Sequence, residues 1–430
     1  MADTGAPAIA PGSRERSGVG PGLVFALSVI GAGDYVSNVA IGVTHGVALL
    51  WTLLVASVCR YVWVNACARY VLVTGETPFA GFARISRGLV WLLLIALVFH
   101  RHVHGLYHVL FMGTSFNLLL PLPTRFSATI WSLAFVALGF WLMFWAGYKT
   151  IERFFKYLMA LMGGSLILVV LSAPPSPTAL LKGLFIPSIP ESQGIYSAVL
   201  LLTALLGTEA CSLSNITYSY FMWQKGWRDL SYAARQRWDL LAGIAAMCTM
   251  GCLLQVAAAS SVGEAAPSSI EDLVRVFSNR LGLWGKIAFA FGIWSAVITS
   301  YVGGVTGYAL AITDLCRSFV LGLRREAAHH SRDELTHDPL FRRLVVFFAF
   351  SPLYILYVPV RPVWLVLLAS SAIVVVVPVV SLALLRMTSD GRVMGEHRNH
   401  WLTNAILLFV AVLSCYFIYR NGLDLWRKFA

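Results

Sequence analysis

The chain has 430 residues, of which 58% are hydrophobic and 12% charged, and a formal net charge of +12; its mean hydropathy is +0.74. Soluble domains carry about twice that share of charged residues, so the composition excludes a soluble globular protein and points to an integral membrane protein. The positive excess reads as loop charge facing an anionic leaflet. With no long Lys/Arg run interleaved with aromatics, it excludes a nucleic-acid surface.

Residues 1–19 form a polar tail containing Arg14 and Arg16. The tail lacks the apolar core and small-residue cleavage site of a secretory signal, so the first span is expected to stay as an anchor. A bilayer core takes about 20 apolar residues per helix. On that rule about eleven spans are expected, near 20–42, 46–72, 88–119, 126–147, 151–172, 194–222, 239–261, 284–316, 341–359, 363–386 and 401–419. The fold class is therefore an all-α polytopic membrane protein, with residues 20–430 as a single transmembrane domain and no soluble domain. Alternate loops separate by positive charge. One set holds Arg84 and Arg87, Lys149 to Lys156, Lys225 to Arg237, Arg317 to Arg343 and Arg386 to Arg398. The positive-inside rule puts that set and the N-terminus in the cytoplasm and, after an odd number of spans, the C-terminus outside. The expected location is the cell membrane. The loop from Arg317 to Arg343 reads as a solvated connector, and Ala173-Pro174-Pro175-Ser176-Pro177 as a stiff external one. The seven cysteines are odd in number and form no CxxC, so neither a disulfide framework nor a zinc site is indicated.

Within the first span lies Gly31-Ala32-Gly33-Asp34-Tyr35-Val36-Ser37-Asn38. Two glycines weaken a helix there, each by about 1 kcal/mol relative to alanine. A carboxylate falls at bilayer mid-depth, where a charge costs at least about 2.5–3.5 kcal/mol. The sixth span repeats the pattern in Leu205-Leu206-Gly207-Thr208-Glu209-Ala210-Cys211-Ser212-Leu213-Ser214-Asn215, whose small polar residues can take over backbone groups freed by unwinding. Breaks in spans one and six suit two inverted five-helix repeats, about 20–172 and 194–386, with an extra helix at about 401–419. Paired interrupted helices at corresponding positions point to a transporter's binding site. Span two places Arg60 at similar depth, and span three places Arg101 there with His104 and His108, which stand four apart on one helix face. Two readings of these charges are open. Asp34 and Glu209 are cation ligands, with Arg60, Arg101, His104 and His108 forming a proton or charge relay. Or Asp34–Arg60 and Glu209–Arg101 pairs, or the crossed pairing, neutralise the centre.

Several stretches resemble one known family. They are Gly20-Pro21-Gly22, Ala68-Arg69-Tyr70-Val71-Leu72-Val73-Thr74-Gly75-Glu76, Tyr148 with Glu152, Leu181 to Pro190, Lys225-Gly226-Trp227-Arg228 and Met394-Gly395. Together they are similar to the natural resistance-associated macrophage protein family of divalent metal transporters. The resemblance implies the leucine-transporter-like architecture of ten helices in two inverted repeats, here with an eleventh. The family's Asp-Pro-Gly-Asn signature falls on Gly31-Ala32-Gly33-Asp34, so its first acid, the main metal ligand, is Gly31 here. Its Met-Pro-His signature falls on Cys211-Ser212-Leu213, and its acidic proton-pathway positions on Gly105 and His108. Asp34 and Cys211 thus occupy ligand positions, without the family's ligand identities.

The leading functional expectation is alternating-access transport of a divalent cation of the Mn/Fe/Mg class, with proton coupling through His104 and His108 as an option. The ligands expected are Asp34, Glu209, Asn38, Ser212, freed carbonyls and Cys211. The oxygens favour harder ions and the thiol softer ones. The alternative is a transporter of the same fold for an amino acid or another small organic solute, with the buried charges as structural ion pairs. No phosphate-binding glycine loop, no HExxH and no GxSxG with a plausible partner order occurs, so an enzyme is not expected. The partners are the ion, as substrate, and the lipid bilayer; no cofactor is expected.

Overall fold

The computed structural model describes residues 20–145, 148–172, 174–188, 198–210, 212–262, 266–320 and 336–429. These are helical almost throughout, and no strand occurs among them. The first span is a bent pair, α1 (Pro21–Val29) and α2 (Ala32–His45), followed by α3 (Leu50–Thr74) and a short α4 (Pro78–Ile85). Then come α5 (Arg87–Leu119), α6 (Ser127–Trp145), α7 (Tyr148–Ser172) and a second short helix, α8 (Pro177–Phe185). The sixth span runs from α9 (Ala198–Leu205) to α10 (Thr217–Gln224), and the seventh is α11 (Ala233–Ala258). The long α12 (Ile270–Leu315), α13 (Pro339–Phe350), the bent pair α14 (Pro362–Ala372) and α15 (Val377–Ser389), and α16 (Trp401–Phe429) complete the chain.

Among the described residues eight helices are long and apolar enough to cross a membrane, and counting each bent pair as one span gives ten. With the shorter apolar helix within α7 they correspond one to one with the eleven expected spans. Outward side chains such as Ile95, Phe99 and Leu171, each 58–68% exposed, form the face that the bilayer covers. Local chemistry sets the ends. Gly75, at φ +69°, closes α3 in the left-handed conformation. Ser269 Oγ accepts the Asp272 N–H at 3.1 Å while Asp272 accepts the Ser269 N–H at 3.1 Å, a reciprocal cap that starts α12. Gly282, at φ +56°, kinks α12.

Three features depart from the expected pattern. α4 and α8 are too short for a 20-residue window; each begins with a proline, whose missing N–H costs nothing at a helix start. The ninth span changes after Phe350 into a tighter 3₁₀ stretch, Ser351–Tyr357, where Pro352 removes a helical donor. In the connector after α12, 321–335 lie outside the described residues, but its far end returns to the bundle: the Arg317 guanidinium grips the Asp338 carboxylate through two bonds of 2.8 Å.

The core is organised on two helices. α12 packs against α1, α5, α6, α7 and α10, while α11 packs against α1, α2 and α3. α14 lies across the other side, against α2 and α9. The start of α1 is held by α11: Asp239 Oδ2 accepts the Gly22 N–H at 2.6 Å, in the role of an N-terminal cap. Close approach makes this possible, because a Cβ on Gly22 would stand 2.1 Å from the Asp239 carbonyl oxygen and one on Gly243 2.3 Å from the Gly22 oxygen. Gly243→Ala is expected to cost about 1–3 kcal/mol through overpacking and to lower the thermal unfolding temperature of the purified protein. Gly164→Ala, which meets nothing within 4 Å, is expected to leave it unchanged or raise it slightly through helix propensity.

Candidate functional site

The two breaks meet in the middle of the bundle. α1 and α2 are bent by 64° at Ile30 and Gly31, which take extended backbone. Gly31 permits a close approach of α12: a Cβ there would stand 2.8 Å from Ser300 Oγ, which would have to turn away. Asp34 is in the first turn of α2, and its Oδ2 accepts the Gly31 N–H at 2.9 Å. A carboxylate is favoured there by the helix dipole and the unpaired N–H groups. Its other oxygen, Oδ1, has no partner among the described residues.

In the sixth span, α9 passes into a wider π turn, Leu206–Ala210, and the chain then winds as a 3₁₀ turn, Leu213–Ile216, before α10 begins. Gly207 allows the π turn to sit against α14, since a Cβ on it would stand 2.0 Å from the Ser370 carbonyl oxygen. Unwinding frees carbonyls, and side chains take them. Asn215 Nδ2 donates to the Ala210 oxygen at 3.1 Å, and an Arg60 Nη2 donates to the Thr208 oxygen. Ser212 Oγ accepts from the Ser214 N–H and exchanges a hydroxyl bond of 2.5 Å with Ser214 Oγ. The two breaks touch at Gly33, whose Cβ would stand 2.7 Å from the Thr208 methyl.

The structure forms half of the crossed pairing. Arg60 and Glu209 make an ion pair of 3.0 Å with both side chains almost fully buried. Neither Asp34–Arg60 nor Glu209–Arg101 is formed as an ion pair among the described residues. Asp34 and Glu209 instead stand on the two breaks, which touch where Gly33 meets Thr208, and both side chains are buried. Arg101, 3% exposed, packs its guanidinium 5.7 Å over the Tyr301 ring and against Gly304. Its Nε and Nη2 have no acceptor among the described residues.

Asp34 and Arg101 border a small cavity of about 30 Å³, which His104, Thr208 and Ser212 also line. His104 and His108 share one face of α5 as expected, their rings 6.1 Å apart. His104 meets His100 edge to face, ring centres 3.9 Å apart, and the His100 Nδ1 is bonded to the Tyr308 hydroxyl at 2.5 Å. His108 lies behind the first break, with Nε2 3.5 Å from the Cβ position of Gly31. Asn38 is not brought to the cavity. Its Nδ2 donates to the Asp34 carbonyl at 2.8 Å and its Oδ1 accepts from Gln255 Nε2 at 2.9 Å, so the amide ties α2 to α11 and is corrected from ligand to clamp. Cys211 lies outside the described residues. Among those residues no cluster of three or more His, Cys, Asp or Glu side chains gathers as a ready-made metal site.

Sequence reasoning passed over Ser28, Tyr107, Ser300 and Tyr308, which complete the cavity wall. A signal was present on α12, where Ser300, Gly304 and Tyr308 recur every four residues on one helix face.

A helical membrane bundle whose central polar site lies between two broken helices defines the secondary-transporter class. The family model described as natural resistance-associated macrophage protein-like matches residues 22–420, and the chain belongs to that family. The divalent metal cation transporter MntH of Aeromonas hydrophila subsp. hydrophila is 23% identical over 398 residues, 92% of each chain. The MntH of Chromohalobacter salexigens is 29% identical over 187 residues, so the match spans less than half of that relative's length, 43% of each chain. Among solved structures, the Eremococcus coleocola manganese transporter, in complex with an aromatic bis-isothiourea substituted compound, superposes with a TM-score of 0.69 at 17% identity, over 92% of this chain and 85% of that one. MHP1, a nucleobase-cation-symport-1 family transporter, superposes with a TM-score of 0.54 at 13% identity, over 96% and 94%. At such identities the likeness is one of fold, and the fold is the leucine-transporter-like one.

The Arg60–Glu209 pair yields a stability prediction. Arg60→Met leaves a buried carboxyl without its cation and is expected to cost about 3–5 kcal/mol. Arg60→Met combined with Glu209→Gln should recover most of that loss, measured by thermal unfolding without added metal. Equal destabilisation by the single and double variants would show that the pair is not the interaction that matters.

Proposed function

We propose that this protein is a secondary transporter, not an enzyme, that carries a divalent metal cation of the Mn/Fe/Mg class across the membrane by alternating access. The observation that carries the reading is the buried Asp34 carboxyl, whose unpartnered Oδ1 belongs to a side chain lining the cavity between the two helix breaks beside Thr208 and Ser212, with a second buried acid, Glu209, on the other break. Membership of a family with divalent metal transporters among its members supports it. Asp34 Oδ1 is the first ligand, since it alone of that carboxyl's oxygens is unclaimed. Glu209, on the neighbouring break and paired with Arg60 through one oxygen, contributes its second oxygen, and Ser212 a hydroxyl. This oxygen-dominated set suits a hard cation; a Cys211 thiol recruited as a further ligand would shift the preference towards softer ions. Arg60 balances Glu209, and His104 and His108 offer a proton route along α5, which makes proton coupling compatible with the site.

The repeats, about 20–172 and 194–386, are the bodies that move about the site, and 401–419 is an added peripheral helix. The loop distribution of Arg and Lys supports a cytoplasmic N-terminus and an external C-terminus in a cell membrane.

The Arg60–Glu209 pair favours a second reading, an organic-solute carrier in which these charges are structural. Cavity size weighs against it here. One water takes about 10–15 Å³ by this kind of measure, so about 30 Å³ holds an ion and one small companion, not an amino acid. In proteoliposomes, tracer Mn²⁺ uptake by the wild-type protein is expected, and Asp34→Ala should lower it by about ten-fold or more, the loss of about 1.4 kcal/mol of binding. Absence of any divalent-ion uptake, with thermal stabilisation by an amino acid but not by Mn²⁺ or Mg²⁺, would assign the chain to the second reading.

A further inference from the structure

Arg101 is a fully buried cation without a carboxylate partner among the described residues. An arginine stays protonated even when buried, and a buried cation needs acceptors. Yet two of its guanidinium nitrogens have none among the described residues. The face of Tyr301 meets it at 5.7 Å, which supplies a cation–π contact but no hydrogen-bond acceptor. The guanidinium borders the central cavity together with the hydroxyls of Ser300 and Tyr107, which are suitable donors to an anion.

Charge bookkeeping leads the same way. Arg60 and Glu209 cancel each other in their ion pair. Arg101 and Asp34 then sum to zero, so a divalent cation at Asp34 would leave the buried centre with two uncompensated positive charges. A low-dielectric interior disfavours such an excess strongly. The family position that would supply a further acid is Gly31, which carries no side chain and lies close against Ser300.

We propose that the cavity is an anion subsite, in which Arg101, flanked by Ser300 and Tyr107, holds one small monovalent anion, a halide or a carboxylate of formate size, beside the divalent cation. The cation half of this statement rests on the metal-transport reading; the anion half rests on Arg101 and the cavity alone. The volume limits the anion to one or a few heavy atoms. The guanidinium edge, planar and rich in N–H, suits both a halide and a carboxylate. The anion raises cation affinity by removing one of the two excess charges.

The test uses the purified full-length protein and Mn²⁺ titrated in chloride, formate or gluconate at equal ionic strength, with tracer chloride and tracer formate binding measured alongside. Mn²⁺ is expected to bind about ten-fold tighter in chloride, in formate or in both than in gluconate, which is too large for the cavity. Whichever tracer binds saturably identifies the anion. Arg101→Gln should abolish both the tracer binding and the dependence of Mn²⁺ affinity on the anion, and Arg101→Lys should keep them in part. Gly304→Ala, whose new methyl would stand 2.8 Å from Arg101 Nη1, should weaken them with the charge intact, and it serves if Arg101→Gln does not fold. Equal Mn²⁺ affinity in all three media with no saturable tracer binding overturns the anion subsite while leaving cation transport standing. Anion binding that persists in Arg101→Gln overturns it as well. Saturable anion binding that depends on Arg101, with no Mn²⁺ binding in any medium, upholds the subsite and removes the cation reading instead.

Discussion

The centre of the bundle depends on the Arg60 guanidinium. Opening the sixth span into a π turn frees the Thr208 carbonyl and brings the Glu209 carboxyl into a region without water, and both need partners there. Arg60 serves both: Nη2 donates to the Thr208 oxygen and Nη1 pairs with Glu209 at 3.0 Å. The same Nη1 lies 3.0 Å from Met247 Sδ on α11. One side chain from an unbroken helix thus ties α3 and α11 to the break. A cation on the rigid second span lets the sixth carry an acid and an irregular backbone at once.

The breaks are also shaped from outside, by close approach of other helices. Gly207 admits the Ser370 carbonyl and Gly31 admits Ser300. On α12, a Cβ on Gly303 would stand 2.1 Å from Ser28 Oγ, and one on Gly307 2.9 Å from the Thr217 methyl. The glycine stripe of α12 therefore receives α1, α5 and α10 in turn, in the manner of small-residue interfaces in membranes. Tyr301, on the same helix, is anchored to the α13 backbone by a 3.2 Å bond to the Ala349 oxygen. It supports Arg101 from beneath and stays outside the cavity wall.

Much of this was legible in the chain because bilayer physics leaves strong marks. Long apolar runs, alternating loop charge and an acid beside glycine at mid-depth have few interpretations, so the spans and the two breaks could be read directly. The partner of each charge could not. Arg60 and Arg101 differ by which helix packs on the sixth span, a property of tertiary contact and not of position along a helix. Asn38 shows the same limit: its residue type suits a ligand, and only the presence of Gln255 across the α2–α11 interface turns it into a clamp. Short helices such as α4 and α8 leave too few residues to register as spans.

Asp34 joins the geometry of the first break to the chemistry of the site. Its carboxyl is not in the break, where the family's first acid would fall, but in the first turn of the half-helix that follows. One oxygen is spent on the Gly31 N–H, and a cation bound at the other meets a carboxylate already oriented by the helix start. Any motion that reopens or straightens the chain at Ile30 and Gly31 must change that cap, and with it the direction in which the free oxygen points. In the proposed function, cap and ligand are the same group, so rearrangement of the broken helix and release of a bound cation would be coupled through a single side chain. A ligand within the break itself could move without disturbing the helix it leaves; Asp34 cannot.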